Sequence, residues 1–267
     1  MSKFIFILKH YLYRMTKDAI GLLIFLALPI MLIAINIIIA EANIESYIHI
    51  IDGKNINSSA ITISILLMFQ FLSSSLVTDG LYKELRGPLR NRLLAAPASV
   101  NHYAFGNFLA AVIVSVLLGF IICIVAVIFF NAYFPNWLIL FAILVISSVF
   151  AQLLGLLMFM IFSSQRVAEA IMLVFAFIMP AGRGTFIGDF NLTGHVHFFF
   201  HYLTPYAITL RILLYSGFTE LENIFEEFGY VNIGNDMRIV TTNYLALLAM
   251  IIVLAVIIII LGRRKPL

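Results

Sequence analysis

Charge and cysteine are both scarce in this sequence. Only 11% of its 267 residues are Asp, Glu, Lys or Arg, against about 25% in soluble domains, whereas 63% are hydrophobic. The single cysteine, Cys123, excludes an intramolecular disulfide. This composition indicates a polytopic membrane protein. The net charge of +3 therefore reflects basic residues that flank apolar runs, and we expect no nucleic-acid partner.

Motifs for common hydrolytic chemistry are also missing. The sequence contains no GxxxxGK[ST] phosphate loop, no GxSxG elbow and no HExxH pair. His195, His197 and His201 are a weak metal candidate, and the alternative is an interfacial aromatic belt. We therefore expect no enzyme activity, metal or cofactor in this chain. A membrane-embedded metalloenzyme or hydrolase stays open as an alternative.

Six apolar runs predict six transmembrane helices. Each run is long enough to cross about 30 Å of hydrocarbon. With both termini inside, 12 basic residues lie on the inner side and four on the outer, which follows the positive-inside rule. The prediction is an all-α, polytopic membrane protein with one transmembrane domain (1–267) in a bacterial plasma membrane, both termini cytoplasmic. The predicted spans are 19–40, 59–78, 104–130, 138–162, 168–187 and 241–261.

The segment before the first span differs from the spans in pattern. Residues 2–18 mix aromatic and aliphatic side chains with basic ones, which predicts an amphipathic helix lying in the membrane interface. A signal peptide is the competing interpretation. The 22 apolar residues of 19–40 are too many for a typical signal core and favour a retained span.

A long apolar region, 182–240, separates the last two spans. It is too long for a plain connector, and non-spanning backbone at membrane depth survives only under protein cover or beside a watery cavity. We predict short re-entrant or interfacial helices on the outer face, at 196–203 and 205–216. The residues singled out in and beside this region are Pro180, His197, His201, Pro205 and Arg211.

An island of charge lies between the second and third runs, at 79–103. It holds four basic and two acidic residues, each costing roughly 2.5–3.5 kcal/mol at mid-bilayer, so it must lie in water. Leucines recur every fourth residue from Leu81 to Leu93, and Gly87-Pro88 predicts a break before a second short helix over 88–96. A short, basic, amphipathic helix between two spans suits docking onto a soluble partner.

The same stretch resembles a known family. Glu84-x-x-Gly87, then Arg90-x-Arg92-Leu93-Leu94-Ala95-Ala96-Pro97-x-Ser99, then Tyr103-x-x-Gly106 is similar to the first cytoplasmic loop of type-2 ABC transporter permeases. Pro88 departs from the Thr that relatives often carry there. In that family the loop carries the coupling helix that seats in a groove of the ATPase subunit. The ATPase-coupling residues that the resemblance implies are Glu84, Leu85, Arg86, Gly87, Arg90, Arg92, Leu93, Leu94 and Pro97.

The resemblance also implies partners and a mechanism. A separate ATPase, present in two copies, would bind ATP and Mg²⁺, and a second permease copy or a sister permease would complete the transporter. The family has an amphipathic helix before its first span and short helices between the last two, as expected here at 2–18, 196–203 and 205–216. Members of this family serve as membrane subunits of exporters.

Polar residues within the spans are few. Gln70, Ser74 and Thr78 share one helix face, and Asn36 and Gln152 lie in other spans. Such residues either bond between packed helices or line a path for cargo, and both roles stay open for Asn36, Gln70 and Gln152. No Asp, Glu, Lys or Arg lies mid-span, which argues against an ion-coupled carrier or channel, the other alternative. The apolar interior suits a hydrophobic or amphipathic cargo such as a drug, a lipid or an antimicrobial peptide.

Overall fold

Helices make up nearly all of the regular structure. The computed structural model describes residues 2–43, 50–51, 54–87, 90–91, 100–134, 136–182, 194–217 and 237–264. A two-residue antiparallel pair, β1 (Ile50–Ile51) and β2 (Lys54–Asn55), precedes the second span. The helices are α1 (Ser2–Lys17), α2 (Ala19–Asn43), α3 (Ile56–Leu72), α4 (Ser75–Leu81, continued by a π-helix at Tyr82–Arg86), α5 (Val100–Phe130), α6 (Trp137–Ile161), α7 (Gln165–Ala181), α8 (Gly194–Phe198, continued by a π-helix at Phe199–Leu203), α9 (Pro205–Gly217) and α10 (Met237–Arg264). The all-α prediction is confirmed.

Five helical segments of the described chain are long and apolar enough to cross a membrane. They are α2, α5, α6, α10 and the segment formed by α3 taken together with α4. Their positions match five of the six predicted spans, so the chain has the architecture of a multi-pass membrane protein. The predicted fifth span corresponds to α7, which has 17 residues. At 1.5 Å per residue α7 is about 26 Å long, and the count of six stays a prediction.

The second span is interrupted at its middle and extends further than predicted. Ser73 and Ser74 form a turn between α3 and α4, and the helix then continues to Arg86. The sequence predicts an end at residue 78 because charged residues follow. Lys83 instead pairs with Asp79 one turn earlier, at 2.7 Å, and its side chain is exposed, so the helix tolerates both charges. The connection from α4 to α5 is therefore 87–99, shorter than the predicted 79–103.

The core lies around α3 and α9. Leu66, Leu67 and Met68 of α3 are almost completely buried, and α9 is buried along 206–213. The Tyr206 hydroxyl donates to the Ser64 carbonyl at 3.3 Å. The two short helices predicted at 196–203 and 205–216 are present as α8 and α9, separated at Thr204 because Pro205 begins a new helix. Whether they are re-entrant stays a prediction.

Helix α1 packs on α5 with one side and exposes the other. Ile7 and Tyr11, one turn apart, are buried, whereas Phe6 and Tyr13 are largely exposed. Gly106 permits this close approach, since a methyl group there would lie 2.7 Å from the Ile7 Cγ2 atom. The predicted helix over 2–18 is confirmed, although part of its apolar surface contacts protein where the sequence predicts lipid.

Segments predicted to lie on the inner side meet at one end of the bundle. Tyr11 of α1 contacts Glu84 at the end of α4, and Gln165 at the start of α7 donates to Asp79. A methyl group on Gly262, near the end of α10, would lie 3.3 Å from the Met160 side chain. We call this the basic end, and define it by α1, 79–87, 90–91, the start of α5, 158–169 and the end of α10.

Candidate functional site

Glu84 is the centre of a buried cluster at the basic end. The residue is only 5% exposed, although it is one of the predicted ATPase-coupling residues. One oxygen accepts from Arg14 Nη1 at 2.5 Å, and the other accepts from the Tyr11 hydroxyl. Both donors lie on α1, one turn apart, so they reach the same carboxylate. The first helix is thereby fastened to the end of α4, where the predicted coupling segment begins.

The environment of Tyr11 favours its neutral, hydrogen-bond-donating form. The side chain is 2% exposed. Burial, together with the hydrogen bond to Glu84, raises the pKa of Tyr11 far above its usual range. The hydroxyl is therefore a proton donor to Glu84 and carries no charge that would repel the carboxylate. Sequence reasoning missed both Tyr11 and Arg14 as site residues, since they lie 73 and 70 positions from Glu84.

Arg86 fastens the same end of α4 to the end of α6. Its guanidinium donates to the Phe159 carbonyl at 2.7 Å and to the Phe162 carbonyl. Phe159 lies in the last turn of α6 and Phe162 directly follows the helix. Carbonyls at a helix end lack a partner in their own helix, and the helix dipole favours a cation there. The guanidinium also lies 4.5 Å from the Phe159 ring centroid and 5.0 Å from that of Tyr82. The Tyr82 hydroxyl donates to the Phe162 carbonyl at 2.6 Å.

Arg86→Lys is expected to lower stability by about 1 kcal/mol, because an ammonium cannot bond two carbonyls and stack on two rings as the planar guanidinium does. Thermal unfolding of the purified chain in nanodiscs measures the effect. Arg90→Lys is the matched control, since Arg90 is exposed like Arg86 but has no side-chain hydrogen bond or ring contact in the described part of the chain, and it should change the melting temperature very little. Equal shifts for the two substitutions would contradict the role of Arg86.

We call the contacts of Glu84 with α1 and of Arg86 with the end of α6 the double anchor. The remaining predicted coupling residues lie within it or follow it in the chain. Leu85 is buried, together with Leu81, against Phe159 and Ala168, so this part of the leucine repeat packs within the chain. Gly87 ends the helix in extended conformation, and a methyl group there would lie 2.2 Å from the Lys83 carbonyl oxygen. Arg90 is helical and exposed, as is its neighbour at 91. The last four predicted coupling residues lie outside the described part of the chain: Arg92, Leu93, Leu94 and Pro97.

Two of the predicted path residues join one buried network in the middle of the bundle. Gln70 of α3 accepts from Ser115 of α5 at 2.9 Å and from Ser148 of α6. Gln152 of α6 donates to the Ser73 carbonyl and hydroxyl oxygens, both at 3.0 Å. Both glutamines are almost completely buried. These contacts bond packed helices to one another at the point where the second span is interrupted.

The other predicted path residues have partners outside this network. The Ser74 hydroxyl donates to the sulfur of Met172 on α7, at 3.0 Å. The Thr78 hydroxyl donates to the Ser75 carbonyl, and the Asn36 amide donates to the Leu32 carbonyl, each within its own helix. Asn36 is half-buried on α2 and does not join the central network. A lining role for the five residues stays a prediction.

The outer predicted residues lie around α8 and α9. Arg211 is 8% exposed, donates to the His201 carbonyl, and lies 3.9 Å from the Tyr202 ring centroid. Pro180 is buried in the last turn of α7, and Pro205 is the first residue of α9. The His197 side chain lies outside the described residues. Among the residues that are described, no group of three His, Cys, Asp or Glu side chains has metal-binding geometry.

Comparison with known proteins leaves the family open. No protein-family model matches the sequence, and no curated protein matches it significantly. The function must therefore be argued from the site, in which α1, α4, α6 and α7 meet beside the 87–99 connection.

Proposed function

We propose that this chain is the membrane-spanning permease subunit of an ATP-binding cassette exporter. A separate ATPase, which holds ATP and Mg²⁺, docks on the connection between α4 and α5. Nucleotide-driven motion of that ATPase then moves the spans. The proposal rests on the similarity of 84–106 to the first cytoplasmic loop of type-2 ABC permeases, and on where that stretch lies in the fold.

The observation that carries the proposal is the double anchor directly before the connection. Glu84 is held by α1, and two residues later Arg86 is held by the end of α6. A force applied to the segment after Gly87 passes through these contacts into two helices besides α4. An ordinary solvated loop needs neither contact. Arg90 is exposed and can contact a partner, whereas Glu84 and Leu85 are buried and hold the start of the connection against the bundle.

The arrangement of the helices supports a six-span topology with both termini in the cytoplasm. Helix α7 starts at the basic end, where Gln165 contacts Asp79, and further along the helix Met172 contacts Ser74 at the interruption of the second span. It thus runs antiparallel to α3–α4, as a crossing helix would. The basic residues of α1 and of the end of α10 lie at this same end, which the positive-inside rule assigns to the cytoplasm. Six spans make half a transporter, so a second copy or a sister permease completes it in the bacterial plasma membrane.

The cargo class follows from the surfaces available to it. The spans are apolar, and α2 and α10 expose many large aliphatic side chains. A hydrophobic or amphipathic molecule such as a drug, a lipid or an antimicrobial peptide fits this environment better than a free ion or a sugar chain. An ion-coupled carrier remains the alternative. It would require a charge that titrates in the membrane interior during transport.

Charge reversal at Arg90 and Arg92 is the direct test of the docking role. The double substitution to Glu is expected to weaken ATPase co-purification by at least tenfold, since it exchanges two attractive contacts for two repulsive ones on the docking surface. Both residues follow the anchor, so the fold of the bundle should remain intact. Co-purification of the ATPase from membranes, with transport in proteoliposomes, measures the outcome.

Reversal of Lys9 to Glu is the matched control for the same co-purification. Lys9 is an exposed basic residue of α1, and its replacement should leave ATPase binding unchanged. Undiminished association of the Arg90→Glu, Arg92→Glu variant, with transport intact, would refute the docking role. Transport without any ATPase would refute the proposed function as a whole.

A further inference from the structure

A cavity of about 580 Å³ lies at the basic end, apart from the 87–99 connection. It is bounded by α1, α2, α4 and α7, with Asn107 of α5 in its wall. Asp18 is exposed and Asn107 is fully buried, so the cavity reaches from the surface into the bundle. Its volume falls in the range of about 300–1,000 Å³ that is typical of small-molecule sites.

The charges that line the cavity do not balance. Its two cations are already paired, Arg14 with Glu84 at 2.5 Å and Lys83 with Asp79 at 2.7 Å. Asp18 and Glu169 accept hydrogen bonds from neutral donors, the Gly21 amide at 3.1 Å and the Gln165 side chain at 2.7 Å. In the described part of the chain, neither carboxylate has a lysine or arginine within ion-pair distance. The cavity therefore carries excess negative charge and favours a cationic ligand.

Asn107 gives an independent indication that a ligand donates a hydrogen bond here. Its amide nitrogen donates to the Val77 carbonyl at 2.8 Å, which orients the side chain. Its carbonyl oxygen is buried and has no hydrogen-bond partner among the described residues. Buried acceptors of this kind are rare because leaving one unsatisfied is costly. The oxygen lies against Gly80, where a methyl group would approach to 2.4 Å and fill the space.

The rest of the wall is apolar. Leu22 and Phe25 of α2 and Leu76 of α4 line the cavity together with the charged residues. Phe25 also packs against the main hydrophobic core. A ligand in this cavity would therefore contact carboxylates with one part and aliphatic or aromatic side chains with another, so it must itself be amphipathic.

We propose that this cavity binds a primary ammonium group carried on an apolar chain. An ammonium has three hydrogen-bond donors and no acceptor, which suits the carboxylates of Asp18 and Glu169 and the carbonyl oxygen of Asn107. Two sources supply this chemistry: an aminolipid of the membrane such as phosphatidylethanolamine, and a soluble amphipathic amine. Whether the bound molecule is then transported rests on the proposed function, whereas binding itself needs no ATPase.

The test uses the full chain in phosphatidylcholine nanodiscs without ATPase, with radiolabelled octylamine as the probe and protein-free nanodiscs subtracted. Octylamine is expected to bind saturably, and octanol, which has the same chain without the charge, should compete at least tenfold more weakly. Asp18→Asn combined with Glu169→Gln should weaken octylamine binding at least tenfold. Glu41→Gln, which removes a carboxylate at the opposite end of α2, should leave binding unchanged.

Nanodiscs that contain phosphatidylethanolamine distinguish the two sources. Competition by this lipid identifies a membrane aminolipid as the occupant, and unchanged octylamine affinity identifies a soluble amine. The proposal is overturned if octanol competes as well as octylamine, or if the double variant melts normally and binds octylamine with full affinity. The binding assay contains no ATPase, so failure of the docking test would not affect the proposal that the cavity binds an ammonium group. Failure of the binding assay would likewise not affect the proposed docking of the ATPase.

Discussion

Glu84→Ala is expected to detach α1 from the bundle and to lower the unfolding free energy more than any surface substitution at the basic end. The substitution leaves the Tyr11 hydroxyl buried without a partner, which costs about 1–3 kcal/mol. The substitution also removes the partner of Arg14. That side chain is 34% exposed, so water screens its charge and the lost ion pair contributes little to the change in stability. Thermal unfolding in nanodiscs, with a distance measured between spin labels on α1 and α5, reports both effects.

Two further variants separate this explanation from a general loss of packing. Adding Tyr11→Phe to Glu84→Ala removes the stranded hydroxyl and should restore part of the lost stability. Lys83→Ala is the control, because it breaks an exposed pair in the same turn and should cost no more than about 0.5 kcal/mol. If Glu84→Ala melts like Lys83→Ala, or if Tyr11→Phe restores nothing, the buried cluster does not hold α1 in place.

This result also changes how a charge reversal at Glu84 must be interpreted. A surface residue that contacts an ATPase could be reversed without harm to the permease itself. Glu84→Lys instead places a cation beside Arg14 within a nearly closed site. The resulting displacement of α1 would abolish transport even if the contact with the ATPase were unchanged. Reversals at Arg90 and Arg92 therefore probe docking more cleanly than a reversal at Glu84.

The positions of the membrane helices could be predicted well from the sequence, and the reason is physical. The predicted 138–162 is observed as Trp137–Ile161, and 104–130 as Val100–Phe130. A long apolar run lies in hydrocarbon, where no water can bond the backbone, and a helix satisfies the backbone hydrogen bonds within the run itself. The largest shift is at 79–86, where charged residues continue the helix because they meet partners at the end of the bundle.

The partners of the site residues could not be predicted, because they depend on contacts between distant segments. Glu84 meets Arg14 across 70 positions, and Arg86 meets Phe159 across 73. No local pattern contains such pairings. A signal for α1 was present, since Tyr11 and Arg14 stand one turn apart within an otherwise apolar helix face. The cavity beside them depends on four helices and left no trace in the sequence.

The central network limits which residues can be enlarged, and Gly155 shows this most clearly. It lies on α6 opposite the turn that interrupts the second span. A methyl group there would lie 2.5 Å from the Ser74 carbonyl oxygen and 2.6 Å from a Val77 methyl group. The carbonyl is backbone and cannot swing aside as a side chain can. Small residues at such positions allow membrane helices to approach closely.

Gly155→Ala is therefore expected to destabilise the bundle although alanine is the better helix former. Alanine gains about 1 kcal/mol of helix propensity, whereas overpacking costs about 1–3 kcal/mol, and the rigid neighbour favours the upper part of that range. Gly262→Ala on α10 is the matched control. Its methyl group would meet the flexible end of Met160 at 3.3 Å, so the propensity gain should prevail. The melting temperatures of the two variants in nanodiscs should lie on opposite sides of the parent value. If Gly155→Ala is as stable as Gly262→Ala, the close packing of α6 against the Ser73–Ser74 turn is wrong, and the network around Gln152 cannot be the rigid contact between these spans.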